Sequence, residues 1–499
     1  MSTDQLVGAA RRPARFVGRT DAGRAGNVAQ ACGALLPFLL VGMVRMGAFA
    51  EGDTFWAVVA GRQVTEARSV TVPDAFSWTI PGQLWHPNAW LYDVLLHLAD
   101  AAAGRVGLSL AALLGVLVVG CGVAVAGRVL GAGAGALAVT GILGSLVLVP
   151  WLSARPQSVS YGLLLVVVAL AARSVEWRGR RLAVGIAALL ALSALWVNLH
   201  LAALSGVFAT TAGMAVVFAT RRGEWRALMP RACLTVGATV LGCLCSPLGG
   251  SVITSALATR DASTAYITEW APLWRANALC QATWAVAALG LVLTLVAWRR
   301  APRDVALPVW AGALLVLLVL GVSAARFSAM AAALAIPAVA VWATRTDWDG
   351  ARSRGRVRFF ARGVAAALAA TYVVLAFLHL PDVGEPTGSI ASRATVEAIP
   401  DGCRVLNEYD DGGWITYLRA DDGVLVAQDG RNDAYGAAVL TKVQGLIDGD
   451  AGTLAYLARQ DVRCLLLSPD RPVVAQAEAA GWRVAAADAD RVLVLAPVG

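Results

Sequence analysis

Residues 31–56, ACGALLPFLLVGMVRMGAFAEGDTFW, run from a mostly apolar stretch straight into an acidic turn. Such a stretch matches the ~20 residues a helix needs to cross ~30 Å of hydrocarbon. Glu51-Gly52-Asp53 then sets two carboxylates where that helix would leave the membrane. Similar apolar runs recur, giving eleven spans at roughly 28–50, 106–127, 129–150, 158–173, 182–200, 202–219, 232–248, 281–298, 305–322, 327–344 and 363–380. The 499 residues are 58% hydrophobic and 15% charged, more apolar surface than a water-soluble fold could hide. This excludes an ordinary soluble enzyme and a simple anchored domain, and predicts a polytopic α-helical membrane protein.

Charge sets the expected topology. Segments 1–27, 128, 173–181, 221–231, 299–304 and 345–362 hold 23 Arg, whereas the opposite short loops hold seven. The Arg-rich side is expected in the cytoplasm, with the chain after Pro381 outside. The expected division is a basic N-terminus over 1–27, a transmembrane domain over 28–380 and an extracytoplasmic α/β domain over 381–499, in a bacterial plasma membrane. The basic total of 41 Lys+Arg against 33 Asp+Glu therefore does not imply nucleic acid. The last 119 residues alone carry 10 basic and 18 acidic side chains. Ala48-Phe49-Ala50 resembles a signal-peptidase site, but the apolar run is longer than a signal peptide's, so a retained first span is favoured over cleavage. Cys403 and Cys464 in the tail could pair.

Two loops on the tail's side exceed connector length, 51–105 and 249–280. In the first, Asp53–Ala67 reads as a short helix and Val72–Gln83 as a turn-rich stretch. Trp90–Ala103 reads as an amphipathic helix lying flat on the membrane surface, with Asp93, His97 and Asp100 along one polar line. In the tail, β-like runs at 403–409, 424–428, 463–468 and 491–495 alternate with helical stretches near 434–460 and 472–480.

Ionisable groups near apolar spans are costly, so each needs a reason. Glu51, Asp53, His86, Arg155, His200, Glu269 and Arg326 all fall at external span ends or in external loops, and Arg45 within the first span is the exception. Asp53 could take a proton from a sugar hydroxyl or could merely cap the next helix. Glu269 could share a divalent cation with Asp53, orient an acceptor, or be a solvated loop acid. Arg155 and Arg326 suit a lipid phosphate, against simple snorkelling to the interface. Asn198 and His200 end the fifth span at the same level, where a structural His is the ordinary reading. Phe55, Trp56, Phe76, Trp78, Trp85, Trp90 and Tyr92 could stack on sugars or form an interfacial belt. No nucleotide or zinc fingerprint occurs.

Taken together, Glu51-Gly52-Asp53, Gly61-Arg62, the segment Pro73-Asp74-Ala75-Phe76-Ser77-Trp78-Thr79, Trp85-His86-Pro87-Asn88-Ala89-Trp90-Leu91, Arg155-Pro156-Gln157 and Trp196-Val197-Asn198-Leu199-His200 resemble the GT-C class of integral-membrane glycosyltransferases. Asn407 to Tyr417 and Asp429-Gly430-Arg431 with Tyr435 resemble the exported domains of such proteins. The resemblance implies inverting transfer of a sugar from a polyprenyl-phosphate donor to an envelope glycan or lipid acceptor at the outer face. An acid of the first outer loop would be the general base; Asp53 matches that position, with Glu51 as a partner. The Gly52 between them departs from the adjacent acids of many members. Arg155 and Arg326 would hold the lipid phosphate, and His86, Asn198, His200 and Trp56 would line the substrate. A non-catalytic scaffold that binds lipid-linked sugar and a lipid-linked-sugar transporter are the competing functions.

Overall fold

The computed structural model describes residues 24–47, 49, 51–263, 268–346, 352–388 and 390–497. Arg11, Arg12, Arg15 and Arg19 of the basic N-terminus, and Ala48 and Ala50 of the cleavage motif, lie outside these. Thirteen helices come first: α1 (Arg24–Arg45), α2 (Asp53–Ala67), α3 (Trp90–Leu130), α4 (Ala134–Leu148), α5 (Pro156–Ser174), α6 (Gly179–Leu199), α7 (Leu204–Thr220), α8 (Trp225–Leu244), α9 (Val252–Ser263), α10 (Ala278–Arg300), α11 (Ala306–Ser323), α12 (Phe327–Arg345) and α13 (Arg352–Leu378). All but α2 and α9 contribute a span, so eleven helices among the described residues are long and apolar enough to cross a membrane. The chain is a multi-pass membrane protein. Helix α12 buries every residue from Ser328 to Ala338; most are alanines, which let neighbouring helices approach closely in the membrane.

The amphipathic helix expected over 90–103 is the first part of α3, which breaks at Ala103 and Gly104; Gly104 adopts φ 54°, a left-handed conformation that glycine tolerates. Its polar line faces protein. Asp93 is buried beneath α2, where a Cβ on Gly61 would run into the Asp93 carbonyl. Asp100 accepts a 2.8 Å hydrogen bond from the Tyr417 hydroxyl. The opposite side, with Leu95 and Leu98 about half exposed, is the one left for lipid.

The tail adds α14 (Arg393–Glu397), α15 (Gly412–Arg419), α16 (Asn432–Ile447), α17 (Thr453–Arg459) and α18 (Pro472–Ala479). A hairpin in the first long loop supplies β1 (Val72–Pro73) and β2 (Leu84–Trp85). The tail sheet holds β3 (Arg404–Asn407), β4 (Leu425–Val426), β5 (Val462–Leu467), β6 (Arg483–Ala487) and β7 (Val492–Leu495), in the order β4-β3-β5-β7-β6. The first three strands in that order are parallel, and β7 runs antiparallel to its neighbours β5 and β6. Strand β6 was not predicted: its sequence, Arg-Val-Ala-Ala-Ala, lacks the β-branched alternation that marks a strand. A disulfide joins Cys403 to Cys464, closing a separation of 61 residues. Cross-links of this length stabilise a fold by about 2–4 kcal/mol.

The first long loop completes the tail. Ser77 pairs with Val426 of β4, the Trp78 indole donates to the Val405 carbonyl at 2.9 Å, and the Thr79 hydroxyl donates to the Ala427 carbonyl at 2.7 Å. Trp78 itself sits in the tail's hydrophobic core.

Candidate active site

Asp53 is the first residue of α2. The cap position belongs to Gly52, which makes no side-chain cap bond, so the helix-capping role considered for Asp53 does not apply. Its carboxylate instead accepts a 3.0 Å hydrogen bond from the Trp56 indole and pairs with Arg155 at 2.9 Å. Arg155 precedes Pro156, which opens α5 and holds its predecessor in extended backbone, aiming the guanidinium across the end of the bundle. The same guanidinium lies 3.6 Å from Glu269. Burial disfavours the charge on Arg155, but Asp53, Glu269 and Glu51 more than offset this and raise its proton affinity above the ordinary value.

Glu269 is delivered by the second long loop, which is pinned along the α11–α12 junction. Arg326 N–H donates to the Glu269 carbonyl at 2.7 Å and Ala325 N–H to the Ala271 carbonyl at 3.0 Å. This brings the Trp270 ring to 4.1 Å from the Arg326 guanidinium. Arg326 has no carboxylate partner within ion-pair distance among the described residues. Burial and the neighbouring Arg155 push its pKa down from the ordinary arginine value, against the pull of Glu269.

Glu51 faces Arg45 at 3.7 Å, while the Arg45 guanidinium also donates to the Leu152 carbonyl. Arg45 therefore belongs to the same end of the bundle as the other charged groups and is no mid-span exception. Burial pushes the Glu51 carboxyl above its ordinary pKa against the pull of Arg155 and Arg45, and its Oε1 has no hydrogen-bond partner among the described residues.

Two cavities meet at these groups. The larger, about 360 Å³, is lined by Asp53, Trp56, Arg155, Glu269 and Arg326 together with apolar side chains of α7, α9, α11 and α12. The smaller, about 270 Å³, is lined by Glu51, Trp151, Asn277, Tyr409 and Asp410, among others. Asp53, Arg155, Glu269 and Gly430 line both and so form the wall between them. Glu51 lines only the smaller one.

The tail roofs this wall. A Cβ on Gly52 would strike the Asp410 carbonyl, and one on Gly430 would strike the Asp53 carboxylate and the Trp56 indole, so only glycine allows the approach at either position. The Gly52 that separates the two acids is thus required by the tail lying on it. Next to Gly430, Arg431 is fully buried and binds Asp429 at 2.8 Å, Asp74 at 2.7 Å and the Tyr435 hydroxyl at 3.0 Å. Its guanidinium also lies 5.0 Å from the centre of the Phe76 ring and 5.2 Å from that of Trp85.

Other expected site residues fall elsewhere. His86 is exposed on the hairpin, where Nδ1 pairs with the Thr71 hydroxyl at 2.8 Å, and it lines neither cavity. Asn198 is a bracket between helices: it accepts from the Trp90 indole at 2.9 Å, and its amide donates to the Ala194 and Cys245 carbonyls at 2.7 and 2.8 Å. His200 does line the larger cavity, with Nδ1 held 2.8 Å from the Ser160 hydroxyl. Of the seven loop aromatics, Trp56 and Tyr92 line the larger of these two cavities, and the other five line neither. Phe55 packs on Trp414 and Tyr417. Together with Phe76, Trp78 and Trp85 it forms the seam between loop and tail, and those four are not an interfacial belt. Tyr409, Asp410, Gly430 and Asp433 at the site, all from the tail, were not expected; the Asp429-Gly430-Arg431 triplet was the nearest signal.

A divalent cation shared by Asp53 and Glu269 would have to sit where the Arg155 guanidinium bridges the two carboxylates. Among the described residues no group of three or more His, Cys, Asp or Glu side chains could hold a metal ion. As they stand, these residues do not fit one.

The sequence matches no protein-family model and no curated protein. Solved structures do match in shape. ArnT from Cupriavidus metallidurans, bound to undecaprenyl phosphate, is 15% identical with a TM-score of 0.56, over 96% of this chain and 100% of that one. The oligosaccharyltransferase of Archaeoglobus fulgidus, tethered to an acceptor peptide, is 11% identical with a TM-score of 0.56, over 90% of this chain and 69% of that one. The chain has the GT-C fold. A second A. fulgidus structure, AglB in complex with an inhibitory peptide and a dolichol-phosphate, aligns with a TM-score of 0.56 at 11% identity, over 88% of this chain and 69% of that one. At such identities the likeness is one of fold. The two cavities and their shared wall come from this chain's own residues.

Proposed function

We propose that this protein transfers a sugar from a polyprenyl phosphate to a hydroxyl of an envelope glycan or lipid, on the outer side of a bacterial plasma membrane. The observation that carries the reading is the Arg326 guanidinium, which has no carboxylate within ion-pair distance among the described residues and is set in a cavity between apolar side chains and Asp53. Phe208, Ile253 and Leu257 are each about half exposed at the rim of that cavity, which suits entry of a prenyl chain from the bilayer. The phosphate then meets Arg326 and Arg155, whose planar donors match its oxygens. The acceptor hydroxyl enters from the smaller cavity across the wall.

Asp53 takes the acceptor's proton as the new bond forms between the acceptor oxygen and the anomeric carbon. The bond from that carbon to the phosphate oxygen breaks, and the polyprenyl phosphate departs with its charge held by the guanidinium groups. Attack from the face opposite the phosphate inverts the anomeric centre. Asp53 suits the base better than Glu51, because burial favours the neutral form of Glu51. The Arg-rich opposite loops and the Cys403–Cys464 disulfide support an outward-facing tail. The undecaprenyl phosphate of ArnT and the dolichol-phosphate of AglB support the class of donor. A scaffold has no need for Asp53, Glu269 and Arg326 around one cavity, and a transport path calls for polar groups deeper in the bundle.

Arg326→Gln is expected to weaken binding of undecaprenyl phosphate about 10–100-fold, the weight of one or two charge-assisted hydrogen bonds. Arg326→Lys should recover only part of it. Titration of nanodisc-embedded protein with the lipid checks this, and unchanged affinity in Arg326→Gln would remove the phosphate assignment.

A further inference from the structure

The larger cavity has two chemically distinct ends. Leu204 and Phe208 in the first turns of α7, Leu320 near the end of α11 and Met330 at the start of α12 lie inward from the guanidinium level. On the other side of that level, under the tail, the lining turns acidic, with Asp93 of α3 and Asp433 of α16. Neither has an ion-pair partner among the described residues; Asp433 accepts a 3.3 Å hydrogen bond from the Asn88 amide. Asp93 is 1% exposed and its Oδ2 has no hydrogen-bond partner among the described residues, nor has the hydroxyl of Tyr92 beside it.

Nine buried side-chain polar atoms lack partners among the described residues, and those of Asp93, Tyr92 and Gln157 line this one cavity. Buried polar groups are normally satisfied, so a cluster of exceptions around one space marks a place where a ligand supplies the missing bonds. Burial pushes the Asp433 carboxyl up to about 6 against the pull of the nearby Arg431.

We propose that Asp93 and Asp433, with Tyr92 and Asn88, form the subsite for the donor's sugar, accepting hydrogen bonds from its hydroxyls and selecting sugars without an anionic substituent. This rests on the larger cavity being the donor site. The linear order of apolar wall, guanidinium pair and carboxyl pair then matches the order of prenyl chain, phosphate and sugar in the donor. A uronic acid would bring its carboxylate against two acids that have no ion-pair partner among the described residues, a repulsive contact that discriminates as effectively as an attractive one.

The test is a binding panel on full-length protein in nanodiscs: undecaprenyl phosphate alone and the same lipid phosphate linked to glucose, mannose or glucuronic acid. At least one neutral glycosyl form is expected to bind about tenfold or more tighter than the bare lipid phosphate, the gain of a few added hydrogen bonds. The glucuronosyl form should show no gain. Asp93→Asn and Asp433→Asn should each erase most of the gain while binding bare undecaprenyl phosphate as wild type does, which also shows that they fold. The subsite is wrong if both variants keep the gain, if no neutral form exceeds the bare lipid, or if the glucuronosyl form binds as tightly as the neutral ones. If wild-type protein fails to bind bare undecaprenyl phosphate, the donor-site reading itself fails and the subsite with it.

Discussion

Asp53→Asn is expected to lower glycosyl transfer about 10³-fold, or about 4 kcal/mol of transition-state stabilisation, within the range by which a positioned base accelerates proton transfer. Asparagine keeps the size and the hydrogen bond from Trp56 but cannot accept the acceptor's proton. Nor can it neutralise Arg155, which lies 2.9 Å from the native carboxylate. Affinity for undecaprenyl phosphate should change little or rise, because the guanidinium loses a competing anion. Glu51→Gln provides the contrast: burial already favours its neutral form, so transfer should stay within about tenfold of wild type. Replacing the chromosomal copy with each variant and weighing the envelope glycans by mass spectrometry reads both outcomes. A D53N strain with a normal glycan profile would remove Asp53 from the chemistry, and a silent D53N beside an inactive E51Q would move the base to Glu51.

The second large effect falls away from the chemistry, at Arg431. Its guanidinium is buried between Asp74 of the first long loop and Asp429 of the tail, both fully enclosed. Removing one partner of a buried ion network costs about 3–5 kcal/mol, mostly because the remaining charges stay buried and unpaired. Arg431→Ala should therefore lower stability by that amount and loosen the tail from the bundle. Arg431→Lys should rescue little, since a point charge cannot bind Asp429 in two prongs. The triple variant Asp74→Asn, Asp429→Asn, Arg431→Met should recover most of the loss, because it leaves no charge behind. Thermal unfolding and proteolysis of the tail report on both. A change below about 0.5 kcal/mol in Arg431→Ala would contradict the keystone role. Gly430, adjacent in sequence, touches Asp53, so loosening the tail should also reduce transfer.

The spans were legible because apolar runs and interrupting arginines answer to the bilayer itself, which acts on each segment alone. Helix α2 and the first part of α3 were legible for the same local reason. The seam was not. Its contacts join residues about 350 positions apart, as between Arg431 and Asp74, and no periodicity announces such a pairing. The loop aromatics looked alike in sequence, yet Trp78 enters the tail core while Trp56 faces a cavity, because the partner of each lies in a distant segment. His86 sat in a motif-like stretch beside Trp85, but alternation along the hairpin turns one residue inward and the next outward. Asp93 was visible as part of a polar line, although its direction could be read only once α2 and the tail had covered that line.

Whether a lipid phosphate seats at the guanidinium pair decides the proposed chemistry. A cryo-electron microscopy structure of the full-length protein in nanodiscs with undecaprenyl phosphate addresses this directly. The phosphate is expected within hydrogen-bond distance of Arg326 and Arg155, with the prenyl chain leaving past Phe208 and Leu257. A phosphate bound elsewhere on the bundle, or no bound lipid at saturating concentration, would contradict it.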